Sequence, residues 1–420
     1  MKLFATLLTI IAATSLPLSA FAAPGCIECH EKETPAAVVQ WKESAHAKAG
    51  IGCEKCHGTD HDKMLRGEAK VTIKVCAPCH KKAAEDHLAS RHSLALQAGW
   101  GCTRKLPSRK PGECRFCHRE GDETAKIKAQ CARFLKQSPE MQEIGCNYCH
   151  SVATACDSCH SKHSTSLKIV RDPNSCAKCH MGPDHPQWEM WQTSLHGTLN
   201  QSAGRSVGPD CQTCHMPRGS HNVSGGLTMN SGGVPSPAKE AEPERQKMLK
   251  ICAECHAPTF GKKELERGDA VRAQSLAMLK EAERIVWELN DLGLLDPMPA
   301  QRPEHPLSGA KLVTDAQMLY EDTSHIERLF FKMKKYDYAR TIKGAYHQNP
   351  AYTHWYGNAE MKMDLIDIKA EAARLKERKG TAPTLTAEEE LTLLKKKFDR
   401  GVLSAEQYSA EKAKVLERVK

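Results

Sequence analysis

Cys146-Asn-Tyr-Cys149-His150-Ser-Val-Ala-Thr-Ala-Cys156-Asp-Ser-Cys159-His160 is the stretch on which the fold of this chain turns. It holds two copies of Cys-x-x-Cys-His, only five residues apart. Four more copies lie upstream: Cys26, Cys29 and His30; Cys53, Cys56 and His57; Cys76, Cys79 and His80; Cys114, Cys117 and His118. Three follow downstream: Cys176, Cys179 and His180; Cys211, Cys214 and His215; Cys252, Cys255 and His256. Eighteen of the twenty cysteines therefore fall in nine copies of one pattern. Cys-x-x-Cys-His is the attachment pattern of c-type heme: the thiols bond to the porphyrin vinyl groups and the histidine becomes the proximal ligand. One copy alone would also suit zinc or a redox dithiol, but nine in one chain do not. An extended chain covers at most ~3.6 Å per residue, so the groups held at 146–160 must be close neighbours.

The composition agrees. Of 420 residues, 40% are hydrophobic and only 5% aromatic, a thin core for this length. Nine macrocycles, wrapped by loops and short helices, would supply the missing apolar bulk. The net charge of +9 excludes a strongly charged disordered chain. A ferric heme with both propionates ionised carries roughly −1, so the basic excess reads as compensation for heme charge, not as a nucleic-acid surface.

The amino terminus fits export. Lys2 precedes an apolar run from Leu3 to Phe21, and Ala20-Phe21-Ala22 fits a small-residue cleavage site, so residues 1–23 read as a signal peptide. A membrane anchor is the alternative; the run is short and Pro17 interrupts it. Export to a periplasm is expected. That compartment is oxidising, but the cysteine spacing argues against a disulfide framework.

Nine histidines serve as proximal ligands, leaving twelve: His46, His61, His87, His92, His163, His185, His196, His221, His305, His325, His347 and His354. Nine bis-histidine hemes need nine of them and one open iron needs eight, so the count decides nothing between wire and enzyme. His46, His92 and His196 recur in similar contexts, Trp41-Lys-Glu-Ser-Ala-His46, Ala89-Ser-Arg-His92 and Trp191-Gln-Thr-Ser-Leu-His196. A short helix ending in Ser-x-His would present a distal imidazole. His61, His87, His163 and His221 complete the candidate distal set.

With these motifs in view, the chain resembles octaheme hydroxylamine oxidoreductase from about residue 25 to 375. The resemblance lies in the motif order, in Cys176-Ala-Lys-Cys179-His180-Met-Gly-Pro-Asp184-His185-Pro-Gln, in Cys211-Gln-Thr-Cys214-His215-Met with Ser220-His221-Asn-Val, and in Asn349-Pro-Ala-Tyr352-Thr-His354-Trp355-Tyr-Gly357. It implies a mostly helical fold with a heme-packed, loop-rich core and long C-terminal helices. It also implies a homotrimer, bis-histidine transfer hemes and one catalytic heme without a protein distal ligand. Cys146–His150 best matches the catalytic motif, and Asp184 and His185 match the pair lining its distal pocket. Oxidising members crosslink a neighbouring subunit's tyrosine to that heme; Tyr352 is the best-placed match, with Tyr346 and Tyr356 as rivals. The chain departs from the family in having nine motifs, the extra one being Cys114–His118, and in the five-residue gap after His150. Cys102 and Cys131 flank the extra motif, as a disulfide, as free thiols, or with Cys102 in an altered heme linkage.

Nitrite and hydroxylamine interconvert by several electrons, which suits a heme reservoir feeding one open iron. Nitrogen–oxygen bond changes need protons, and a histidine tuned by a carboxylate supplies them near neutral pH. The expected substrate is a small nitrogen oxide, with a redox partner that is a cytochrome or a quinol-linked donor or acceptor. The direction stays open: a tyrosine crosslink favours oxidation of hydroxylamine, its absence favours reduction. A pure electron-transfer cytochrome with every iron bis-histidine is the alternative, and reduction of sulfur oxyanions a third reading.

The organisation expected is a signal peptide (1–23), a multiheme domain (24–260), a helical domain (261–380) completing the pocket and subunit interface, and a tail (381–420). Helical periodicity marks 263–297, about 314–343, and 358–378. Ser224 to Ala241 reads as a surface loop. The tail is similar to the short C-terminal (SHOCT) module, two small helices with Thr386 and Ser404 as N-caps and Gly401 as a stop.

Overall fold

The computed structural model describes residues 24–97, 140, 144, 148–229, 233–296, 324–378, 386–399 and 403–418. Residues 1–23, read above as a signal peptide, and Cys102, Cys114, Cys117, His118, Cys131, Cys146, His305 and Gly401 lie outside the described residues. The described chain is mostly helical, and its strand pairing is a lone bridge between Met229 and Pro235. It divides into two compact units, Met1–Lys81 with Ala155–Val170, and Lys82–Thr154 with Arg171–Lys420.

The first unit is built from short helices, among them Pro24–Glu33, Pro35–Glu43, Ala45–Lys48 and His61–Leu65. Val38 is the buried apolar side chain of Pro35–Glu43. The conventional core belongs to the second unit. There the long helix Pro258–Asp291 buries Leu279, Ala282, Val286 and Leu289 at a spacing of three and four residues, one face of a helix. They meet Ile326, Phe330 and Met333, then Tyr338 and Ile342, then Met361, Leu365, Ile368 and Ala372. Each such burial is worth about 1.5–3 kcal/mol.

Three boundaries differ instructively from the periodicity. The first long helix begins at Pro258 rather than 263, because proline is favoured in the first helical turn. It stops at Asp291, and Gly293 with φ +65 turns the chain while Leu294 N donates to the Leu289 carbonyl. The second periodic stretch is interrupted: His325–Lys332 passes into a π-helical turn, Met333–Asp337, before Tyr338–Tyr346. The buried positions explain it. Ile326, Phe330 and Met333 follow helical spacing, but the next buried residue on that face, Tyr338, is five residues on. The extra residue is absorbed as a π turn, a feature common at functional sites. Lys332 ties this turn to the helix Ala359–Arg378 through Asp337, Glu360 and Asp364 at 2.9, 3.0 and 3.0 Å.

In the tail, Ala387–Asp399 and Ala405–Glu417 form a hairpin with Phe398 stacked on Tyr408 at 4.8 Å. Thr386 and Ser404 cap its helices through reciprocal bonds with Glu389 and Gln407. No helix among the described residues is long and apolar enough to cross a membrane.

Candidate heme and catalytic sites

The heme motifs that the described residues contain in full are helical turns. In the motifs ending at His57, His80, His160, His180 and His256, the second cysteine N–H and the histidine N–H both donate to the first cysteine carbonyl, at 2.9–3.2 Å. Residues three and four apart then share a face, so two thiols and an imidazole project together. The motif Cys211–His215 is held by the buried carboxylate of Asp210, which accepts from Thr213 N at 2.8 Å. Burial, with Cys156 beside it, pushes the Cys76 thiol up to about 11, and burial pushes Cys214 up to about 12.

The imidazoles stand in pairs. Ring centroids are 6.2 Å apart for His30 and His61, 5.9 Å for His80 and His46, and 6.2 Å for His57 and His163. In the second unit they are 5.8 Å apart for His180 and His92, 6.0 Å for His256 and His196, and 6.4 Å for His215 and His347. The separations fall within a narrow range while the interplanar angles scatter from 28° to 72°. Ring–ring contact would couple angle to distance; a metal between two end-on imidazoles does not. Metal–imidazole bonds of about 2 Å place the centroids ~6 Å apart. Burial pushes His180 down to about 3 and His92 and His215 to about 4, so these rings are neutral and their lone pairs available. Among the described residues no group of three or more ligands closes around a point as a zinc site would. The residues fit c-type heme.

Of the candidate distal ligands, His46, His61, His92, His163 and His196 face proximal histidines. His87 places Nε2 3.2 Å from the Ala153 carbonyl, and the His221 backbone N–H donates to Asp86. His347 takes the place opposite His215; its sequence context, Tyr346-His347-Gln348, carries no ligand signal. His150 sets Nδ1 2.5 Å from the Ala95 carbonyl. Among the described residues no ring pairs with it.

The recurring contexts have a common geometry. Trp41 and Trp191 each lie eleven residues after a proximal histidine, His30 and His180. Their indole N–H groups donate to the carbonyls of Ile51 and Pro209, both at 3.0 Å. Each acceptor lies two residues before the first cysteine of the next motif. Ser44 and Ser194 receive N–H bonds from Ala47 and Gly197 at 3.1 and 3.2 Å. The serine thus begins a new helix rather than ending one, and His46 and His196 sit in the first turn of that helix, each facing the motif two further along.

Between His180 and Trp191 the chain makes a different structure. Gly182, at φ +90, permits a turn that residues with a side chain rarely adopt, and its N–H donates to Glu189 at 2.6 Å. Asp184 and His185 follow, Nδ1 of His185 lying 2.9 Å from the carboxylate. The other oxygen of Asp184 is 2.6 Å from the Lys335 ammonium, which the π turn delivers, and Lys343 donates to the Asp184 carbonyl at 2.7 Å. Burial alone would raise the Asp184 carboxyl, but His185 and Lys335 hold it well below the usual range. Burial pushes Lys343 down to about 8. The His185 ring lies 6.1 Å from that of His180. Nδ1 of His180 and Oε1 of Gln187 are both buried without a hydrogen-bond partner, and the Gln187 side chain lies against this imidazole.

Tyr352 belongs to the same neighbourhood. Asn349 caps its turn and donates to the Met190 carbonyl and Thr193 at 2.8 Å, pinning the Asn-Pro-Ala-Tyr stretch onto the helix Gln187–Gln192. Burial raises the Tyr352 phenol, with Glu189 adding to the shift and Arg340 opposing it. Its ring packs on Tyr356 at 5.1 Å.

The family of multiheme cytochromes with sevenfold CxxCH motifs matches residues 50–303. The chain is a multiheme cytochrome c of this family. Its amino-terminal part, residues 12–58, also matches cytochrome c554 and c-prime. This cytochrome is 25% identical to a "probable nitrite reductase-hydroxylamine oxidoreductase fusion protein" of Kuenenia stuttgartiensis, over 84% of the present chain and 52% of that relative. It thus spans about half the relative's length. Its fold matches a reducing HAO-like protein complex of Kuenenia stuttgartiensis with TM-score 0.67 and 24% identity, covering 84% of this chain and 85% of that one. A hypothetical multiheme protein matches at TM-score 0.60 and 17% identity, over 84% and 97% of the two chains. These relatives agree with the resemblance read from the motifs, and the cytochrome is a redox protein carrying covalently bound heme c.

Proposed function

We propose that this cytochrome interconverts hydroxylamine and nitrite at one open heme while its other hemes relay electrons. The observation that carries the reading is the ion-paired Asp184–His185 dyad beside the ligand pair of His180. A transfer heme needs only two imidazoles. A carboxylate–imidazole dyad tied to a buried lysine is superfluous for a wire and suited to proton transfer. When bound, the heme would supply one-electron redox chemistry at this site. Asp184 holds His185 through Nδ1, leaving Nε2 to give or take the proton. Lys335 fixes Asp184 in turn. Nine attached hemes, export to the periplasm, a homotrimer and exchange with a cytochrome or quinol-linked partner belong to the same proposal, as does Tyr352 as the crosslinking residue of an oxidising form.

Optical and electron paramagnetic resonance spectra of the purified protein, with and without hydroxylamine or nitrite, test it. A high-spin ferric signal that shifts with either compound, with turnover of one, is the expected result. A purely low-spin spectrum indifferent to both leaves an electron-transfer cytochrome.

A further inference from the structure

Beyond the Asp184 loop, the second unit holds another charge cluster, where the long helix Pro258–Asp291 packs on Tyr338–Tyr346. Both oxygens of Asp269 are engaged there. One accepts from Arg272 at 2.9 Å and from the Tyr346 hydroxyl at 2.6 Å, and the other accepts from Arg245. Two guanidinium groups therefore share one carboxylate. Arg272 is 8% exposed, and its Nη1 is buried without a hydrogen-bond partner. Arginine stays protonated in proteins, so it does not relieve this by shedding its charge. The other buried side-chain atoms without a partner, among the described residues, are carboxylate and amide oxygens and a ring nitrogen of His180; Arg272 Nη1 is the one cationic donor. The Tyr346 ring is clasped in the same cluster. A Cβ at Gly268 would lie 2.8 Å from it, and the Arg272 guanidinium stands over it, 5.7 Å from its centroid. The next residue along the chain is His347, whose ring faces His215. The turn that presents one ligand of the His215 heme thus also presents the ring that Arg272 covers.

We infer that Arg272 binds a propionate carboxylate of the heme held between His215 and His347, with Nη1 as the donor. The inference holds whether the cytochrome is an enzyme or a wire, because it concerns a heme with two imidazoles. A propionate supplies the acceptor that Nη1 lacks and the negative charge that Asp269 cannot supply twice. The planar guanidinium suits it, since it donates to Asp269 through one nitrogen and to a second carboxylate through the other. The consequence is electrical. Reduction of a ferric heme removes one positive charge at the iron, so a cation beside it favours the reduced form. Arg272 therefore holds this heme at a higher potential than an unpaired propionate would, and electrons collect there.

Redox titration of the heme-loaded protein, followed by electron paramagnetic resonance and with heme content by mass for every variant, tests it. His347→Met changes one ligand set and so identifies the signal of this heme. Arg272→Gln should shift that heme's equilibrium toward the oxidised form about tenfold, a fall of about 59 mV for one electron. Arg272→Lys, which keeps the charge, should restore most of it. Asp269→Asn removes the competing negative charge and should move the same signal upward. Opposite signs are what a charge acting on the heme requires. Shifts of one sign for both variants would make the cluster a packing device and overturn the inference, as would no shift or a shift confined to another heme. The wild-type potential should be the same in chloride and in phosphate; a potential that follows the buffer anion would give Nη1 to an exchangeable anion and overturn it as well. If Arg272→Gln loses heme, the sign of the Asp269→Asn shift decides.

Discussion

Two stretches begin alike and end alike, and what lies between them differs. From His30 to His46 and from His180 to His196 the chain runs proximal histidine, ten residues, Trp, two residues, Ser, one residue, His. Both tryptophans brace the next motif and both terminal histidines face a motif two further on. In the first stretch the ten residues complete one helix and start another, and His30 Nδ1 lies 2.8 Å from the Thr34 hydroxyl. In the second, Gly182 turns the chain, and positions four and five after the histidine are Asp184 and His185 instead of Thr34 and Pro35. One framework, at constant length, thus carries a plain helical connection in one place and the Asp184–His185 loop in the other. The loop also needs Lys335 and Lys343, which only the C-terminal helices of the second unit supply.

The largest expected effect separates the two stretches by function. His185→Gln should lower kcat/KM for the nitrogen substrate by about 10²–10⁴-fold, the usual contribution of a positioned acid–base group. Thr34→Ala, at the position matching Asp184, should leave turnover within about twofold. Steady-state assays of both variants with verified heme content check this, and equal losses would break the comparison.

The next effect should be shared. Trp41→Phe and Trp191→Phe each remove an indole donor and strand a carbonyl, at about 1–3 kcal/mol. Denaturant titrations should show similar losses for the two. A loss confined to Trp191→Phe would mean that the first stretch does not depend on its brace.

The third effect concerns the side chains beside the proximal imidazoles, the Thr34 hydroxyl at His30 and Gln187 at His180. Outer partners of a ligand histidine raise its basicity. Gln187→Leu and Thr34→Val should each raise one midpoint potential, by up to about 59 mV, a tenfold change for one electron. Spectropotentiometry would show which heme moves, and unchanged potentials would argue that neither side chain accepts from its imidazole.

The smallest effect lies in the helical scaffold that only the second unit has. Burial, with a contact to Asp337, pushes the Asp364 carboxyl up to about 7. Between an unfolded value near 4 and that folded value, the folded chain holds a proton that the unfolded chain has released. The contribution of this group to stability is therefore largest at low pH and declines as pH rises through that window. Asp364→Asn should flatten that part of the profile. Thermal melts from pH 4 to 8 check it, and an undiminished slope would assign the dependence to another group.

Much of the site was legible because its geometry is local. A Cys-x-x-Cys-His motif needs one helical turn, and the sequence spacing alone puts its three groups on one face. Ser44 and Ser194 were visible as recurring neighbours of His46 and His196, although they open helices rather than close them. The exact offset from His30 to Trp41 and from His180 to Trp191 was also present in the sequence, as a repeat of the whole framework and not of the histidine alone. His347 had no distinguishing context, and nothing in the sequence around His61 or His163 names the ring each faces. The difference among them is which proximal imidazole each faces across the packed chain, and spacing does not carry that.

The sequence by itself therefore determined the attachment chemistry, the helical turn at the described motifs, the caps of the tail hairpin and the apolar faces of the long helices. Each depends on residues within about one or two turns of each other, where covalent geometry sets the distances. The tertiary structure decided which imidazoles pair, that a π turn at Met333–Asp337 carries Lys335 to Asp184, and that Lys343 joins it there. Those contacts join residues from 31 to 159 positions apart. Their distances follow from how the C-terminal helices pack against the motif-bearing chain, where burial, charge pairing and the absorbed extra residue act together.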